Sequence, residues 1–104
     1  MALQKELLQV LEQLTENDIR TLKSFLTEMF TIYPTYGCNI DTSSSSLVTF
    51  VGRYNGVRYV SVKSTKAKHL KDWLLGEGFY VERRFSPHGT FLGYKVYLSE
   101  EYAR

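Results

Sequence analysis

Residues 47–63 read LVTFVGRY-NG-VRYVSVK, two β-rich runs joined by Asn55-Gly56. Asn and Gly tolerate the positive φ of a two-residue type I′ turn, so the stretch predicts a tight hairpin. The turn sets the register. Tyr54 faces Val57, Arg53 faces Arg58, Gly52 faces Tyr59, Val51 faces Val60, Phe50 faces Ser61 and Thr49 faces Val62. Side chains alternate between the two sides of a strand. One side carries Leu47, Thr49, Val51, Arg53, Arg58, Val60 and Val62. The other carries Val48, Phe50, Gly52, Tyr54, Val57, Tyr59, Ser61 and Lys63. Neither is polar throughout, so either helices cover both sides or one apolar, aromatic side is left for a partner. Arg53 opposite Arg58 is unfavourable as a bare pair. The two either splay into water or hold a phosphate or carboxylate between their guanidinium forks.

Downstream, Ser64 or Thr65 is placed to cap a helix over Lys66–Leu75. Ala67, Leu70, Trp73 and Leu74 form its buried face, with Trp73 largely buried. Lys66, Lys68, His69 and Lys71 take much of the rest, and Gly76 or Gly78 ends it. A second hairpin joins FYVERRF to TFLGYKVYL through Ser86-Pro87-His88-Gly89, where Pro87 and Gly89 suit turn positions. A four-residue loop pairs Phe85 with Thr90, Arg83 with Leu92, Val81 with Tyr94 and Phe79 with Val96. A three-residue loop with a bulge would move Lys95 and Tyr97 to the side of Phe79 and Val81. The first is preferred because Phe79, Val81, Leu92, Tyr94, Val96 and Leu98 then share one core face. Its outer face is Tyr80, Glu82, Arg84, Phe91, Lys95 and Tyr97, with Arg84 opposite Phe91 in cation–π range. Residues 99–104 read as a frayed tail.

Upstream, Leu3, Leu7, Val10 and Leu14 form a helical stripe over residues 2–14. Thr15 and Asp18 match a capping box that opens a second helix over Glu16–Ile32. Ile19, Leu22, Leu26, Met29 and Tyr33 continue the stripe, flanked by Phe25 and Phe30. The stripe predicts core, with dimerisation through a heptad-like seam as the alternative. Pro34 ends the helix. Residues 34–46, PTYGCNIDTSSSS, read as a flexible, exposed, Ser-rich loop. The expectation is a single α+β domain. A helical pair (1–33) precedes a hairpin–helix–hairpin (47–98) whose ββαββ order builds a four-stranded, mostly antiparallel sheet with helices packed on it.

The 104 residues suffice for one core. A lone cysteine cannot form an internal disulfide and suits a reducing compartment. The first residues carry charges that a signal peptide would not. No apolar run approaches the ~18 residues of a membrane span. A cytoplasmic protein that does not engage membranes is expected. The net charge of +2 hides an asymmetry. Residues 1–40 carry three bases against five acids, whereas residues 41–104 carry ten against six. That surplus favours an anionic partner.

No catalytic motif, metal cluster or phosphate loop is present, and no metal or cofactor is expected. Cys38, His69 and Asp72 could be imagined as a thiol triad, but nothing beside Cys38 would lower its pKa. The enzyme alternative is a metal-free ribonuclease using His69 or His88 with Arg83, Arg84 and Tyr97. A binding role has better material, because Arg and Lys interleave with Tyr on strands as stacking and phosphate neutralisation require. The candidate contacts are Arg53, Tyr54, Arg58, Tyr59, Lys63, Lys68, Lys71, Arg84, Lys95 and Tyr97. The expected partner is nucleic acid or a protein that handles it. The expected type is a small regulator or inhibitor, of the kind phages and mobile elements encode. The alternative is a protein-interaction module acting through its N-terminal helices, with a homodimer as one form.

Overall fold

The computed structural model describes residues 13–44 and 48–104. The helical stripe expected over residues 2–14 lies almost wholly outside them. Its last member, Leu14, packs against the core.

Helix α1 spans Glu16–Ile32, as its sequence signals require. The Thr15 hydroxyl accepts from the Asp18 N–H at 3.1 Å, and the Asp18 carboxylate accepts from the Thr15 N–H at 2.9 Å. This reciprocal capping satisfies two of the amide donors that a helix start leaves free. Leu22, Phe25 and Leu26 are buried on its inner side. The chain then turns through Pro34 into a strand, β1 (Cys38–Ser44), where the sequence suggested a loop. Strands β2 (Phe50–Tyr54) and β3 (Val57–Lys63) follow in the predicted register, from Tyr54–Val57 to Phe50–Ser61. Asn55 at φ 52° and Gly56 at φ 79° supply the expected turn.

A single 3-10 turn (Ser64–Lys66) leads into α2 (Ala67–Gly76), with no Ser or Thr side-chain cap. Gly78 takes φ 92° just beyond it. Leu70 and Leu74 are buried, and Trp73 and Ala67 pack half-buried against the core. Strands β4 (Tyr80–Phe85) and β5 (Phe91–Tyr97) complete the described chain, apart from a short 3-10 turn at Glu100–Ala103.

The sheet has five strands in the order β2-β3-β1-β5-β4, not four. β1 lies between the two hairpins, parallel to β3 and antiparallel to β5, and joins them into one mixed sheet. Its sequence alternates Cys38, Ile40 and Thr42, all buried, with Asn39, Asp41 and Ser43, which are not. The period of two was present in the sequence, but Asn, Asp and Ser are poor strand formers on their own. Pairing on both edges overrides that propensity.

The β4–β5 register departs from the preferred reading. A three-residue loop, Pro87-His88-Gly89, closes on the Ser86 N–H donating to the Thr90 carbonyl at 2.8 Å. Phe85 then pairs with Phe91, and a bulge shifts the register so that Arg84 pairs with Gly93, Val81 with Val96 and Tyr80 with Tyr97. The bulge restores Val81, Tyr94 and Val96 to the core side, but it exchanges two residues expected elsewhere. Phe91 turns inward against Tyr94, with ring centroids 5.3 Å apart, and is not a cation–π partner of Arg84. Leu92 turns outward beside Tyr59 and Arg84. Leu98 is exposed rather than core.

Both helices lie on one side of the sheet. Leu22, Phe25, Leu26, Leu70 and Leu74 share one core with Cys38, Ile40, Val60, Val62, Tyr94 and Val96. Burial of such side chains stabilises by about 1.5–3 kcal/mol each before the entropy of ordering them is counted. Among the described residues no helix lies on the other side of the sheet.

Candidate binding face of the sheet

Register places the uncovered side in rows that run across the strands. One row is Glu82, Lys95, Asn39, Tyr59 and Gly52, from β4 to β2. The next is Arg84, Gly93, Asp41, Ser61 and Phe50. At the other end Tyr80 pairs with Tyr97, and Val57 with Tyr54. Four tyrosines therefore stand on one side of one sheet. The Tyr80 and Tyr97 rings are 6.2 Å apart, and the Lys95 ammonium lies 5.6 Å from the Tyr97 ring centroid. Tyr54 is 74% exposed, the most open of the four.

Glycines make room for these rings. A Cβ at Gly52 would lie 2.9 Å from the Tyr59 ring, and one at Gly37 would lie 2.8 Å from the Tyr97 ring. Tyr59 and Tyr97 thus lie over bare backbone. Beside Tyr54 and Tyr59 runs a trough of about 500 Å3, whose lining includes Asn39, Asp41, Ser43, Tyr59, Arg84 and Leu92. Asn39 brings a donor and an acceptor, Arg84 a planar fork of donors, and Asp41 an acceptor. The Asp41 carboxylate accepts from the Ser43 N–H at 2.8 Å and from its hydroxyl at 2.7 Å, which fixes its orientation. Lys63, Arg84 and Lys95 bring three positive charges to this side, against Asp41 and Glu82.

Six of the ten contacts predicted from sequence meet here: Tyr54, Tyr59, Lys63, Arg84, Lys95 and Tyr97. The other four do not. Arg53 and Arg58 point to the helix side, where Arg58 pairs with Glu28 of α1. The carboxylate that Arg58 holds is thus the chain's own, on α1 rather than between the two guanidinium forks. The pair is exposed and contributes at most about 1 kcal/mol. Lys68 and Lys71 stand on α2, across the sheet from the tyrosines. Tyr80 and Asn39 were missed. Tyr80 was legible as an outer-face residue, whereas Asn39 needed β1 to be recognised as a strand.

No protein-family model matches the chain, and comparison with curated proteins and with solved structures finds no match.

The residues considered for catalysis stand apart. Cys38 is buried in the core, and burial pushes its thiol up to about 12, so it is protonated at neutral pH. His88 sits in the β4–β5 loop, while Tyr97 ends β5 about 20 Å away along the strand. His69 is on α2, in the helix layer. Among the described residues no three His, Cys, Asp or Glu side chains are grouped to hold a metal. No helix among them is long and apolar enough to cross a membrane.

A second polar cluster lies buried on the helix side. The Lys66 ammonium donates to Asp18 at 2.7 Å, and the Thr49 hydroxyl donates to the same carboxylate at 2.6 Å. With the Thr15 contact, these bonds tie the start of α1 to the start of β2 and to the turn after β3. Burial alone would raise the Asp18 pKa. The Lys66, Thr49 and Thr15 bonds overcome it and bring the carboxyl down to about 2. Lys66 was expected on the helix surface, but its ammonium is the counter-charge of this cluster.

Proposed function

We propose that the chain is a non-catalytic, cytoplasmic binding protein that holds single-stranded nucleic acid on the open side of its sheet. The observation that carries this reading is the helix-free side itself, with four tyrosines on it, two of them over glycines, and cations interleaved from β3, β4 and β5. Every base has a π-face, so flat aromatic rings bind single strands with little sequence preference, at about 1–3 kcal/mol per stacked base. Lys63, Arg84 and Lys95 neutralise phosphates beside the rings. Asn39 and Arg84 line the trough beside Tyr54 and Tyr59 and offer donors and an acceptor to the edge of a base stacked there. A duplex fits less well, because its bases offer no free faces.

The test is binding of labelled single-stranded RNA and DNA by fluorescence anisotropy, across a salt series. Tyr54→Ala and Tyr59→Ala are each expected to weaken binding by about 1–3 kcal/mol, roughly five- to hundredfold. Lys95→Ala should lower affinity and flatten the salt dependence by about one counterion. Lys68→Ala with Lys71→Ala, across the sheet, should leave affinity unchanged. If the α2 double variant loses binding while the tyrosine variants keep it, the face is wrongly chosen. If no oligonucleotide binds at low salt, the occupant is a protein, and Tyr54 and Tyr59 become its expected anchors.

A further inference from the structure

The sheet has two edges, and their sequences differ. The outer strand β4 reads YVERRF, with three consecutive charges of the kind that discourage edge pairing. The other outer strand, β2, reads FVGRY, with one charge. Among the described residues no strand pairs with its outer edge. The type I′ turn closes on a hydrogen-bonded Tyr54–Val57 pair, so Tyr54, Gly52 and Phe50 spend their backbone groups on β3. Val51 and Arg53 therefore point their N–H and C=O groups outward.

We propose that β2 pairs antiparallel with β2 of a second copy, about a two-fold axis through Gly52, to give a continuous ten-stranded sheet. The register follows from chemistry. Outward-pointing residues must pair with one another, which leaves a small set of alignments. Arg53 opposite Arg53 of the second copy would set like charges face to face. With the axis at Gly52, Val51 instead faces Arg53 of the second copy, and Phe50 faces its Tyr54. Both contacts occur twice by symmetry, and neither opposes like charges.

Helix α1 lies close enough to the same axis to add a second contact. It runs alongside β2 from the Asp18–Thr49 bond to the Glu28–Arg58 pair, so Ser24 stands beside Val51. Arg20, Ser24 and Glu28 form a straight stripe of exposed residues along the groove between α1 and β2. About the axis the two α1 helices run antiparallel with Ser24 near their crossing. Arg20 of each then lies on the same side of the crossing as Glu28 of the other, offset by roughly 7 Å along the helices because Ser24 stands one strand residue from the two-fold axis. The two long side chains reach toward one another, with Glu28 also holding Arg58. α1 packs over β2 and β3. With strands about 4.8 Å apart, the two helix axes then come to roughly 10 Å, the distance at which helices pack. The small Ser24 side chain permits that approach. This dimer does not depend on what the tyrosine face binds.

The experiment is sedimentation equilibrium of the full chain over a concentration series, with circular dichroism as the check on folding. The wild-type chain is expected to reach twice its monomer mass. Val51→Lys sets an ammonium against Arg53 of the second copy at two symmetric contacts. It should raise the dissociation constant by roughly a hundredfold, about tenfold for each repulsion. Adding Arg53→Glu to Val51→Lys places opposite charges at both contacts and should restore the dimer. Arg53→Pro removes an outward N–H without touching the β2–β3 ladder, and should give a folded monomer. A wild-type chain that stays monomeric throughout overturns the proposal. So does a dimer that survives Val51→Lys, or a double variant that dissociates as readily as Val51→Lys alone.

Discussion

Gly93→Ala is expected to abolish cooperative folding. Gly93 sits at the β5 bulge with φ 148°, a backbone conformation that side-chain-bearing residues rarely adopt. A Cβ there would stand 2.9 Å from the Thr42 nitrogen and closer still to the Ile40 carbonyl oxygen. Both are backbone atoms of the central strand, held on both edges by β3 and β5, so neither can move aside. Relief requires β5 to part from β1, which splits the sheet through its middle. The cost is about 4 kcal/mol or more, a large share of the roughly 5–15 kcal/mol that keeps a domain folded. Gly52→Ala is the informative contrast. Its new Cβ would meet the ring of Tyr59, a side chain able to swing outward, at a backbone conformation open to any residue. That variant should lose only about 1 kcal/mol. Urea unfolding followed by near-ultraviolet circular dichroism distinguishes the two. A Gly93→Ala chain as stable as Gly52→Ala would mean that β1 and β5 do not approach so closely.

Lys66→Ala is expected to cost about 3–5 kcal/mol, because it leaves the Asp18 carboxylate buried without its counter-charge. Asp18→Ala should cost a comparable amount, since it orphans the ammonium and removes the capping box as well. The double variant should cost clearly less than the two together, since neither charge is then left alone. The same cluster sets an acid limit. Asp18 titrates at about 2 in the folded chain against an ordinary 3.8, so its ionised form stabilises the fold above the unfolded value. That contribution, about 2 kcal/mol, is fully present near pH 5 and fades as pH falls toward 2. Asp18→Asn should flatten the acid limb of a stability–pH curve over that window. An unchanged limb would place the acid sensitivity elsewhere.

The local signals were legible where one short stretch carries its own partner. Asn55-Gly56 dictated the β2–β3 register because both strands are adjacent in sequence and the turn leaves no freedom. Thr15 and Asp18 set the start of α1 for the same reason, and Pro34 its end. The sequence also showed Tyr54, Tyr59, Arg84, Lys95 and Tyr97 as side chains suited to binding, because their chemistry does not depend on the fold.

Tertiary structure decided everything that rests on distant pairing. CNIDTSS is a strand only because β3 and β5 take up its backbone hydrogen bonds, and those strands lie some twenty to fifty residues away. Lys66 looks solvated in its own helix and is buried only because the start of α1 brings Asp18 to it. Gly93 reads as a weak point in a strand until Ile40 is seen against it. The exchange of Phe91 and Leu92 follows from that one glycine. Sequence alone also divided the hairpin residues into two sides without saying which would be covered. α1 and α2 both settled on the side of Val60 and Val62, which put Arg53 and Arg58 among the helices and left the tyrosines open. The physical reason is area: one side offered contiguous branched aliphatic surface from β1, β3 and β5, and the other was interrupted by Asn39, Asp41 and Lys95.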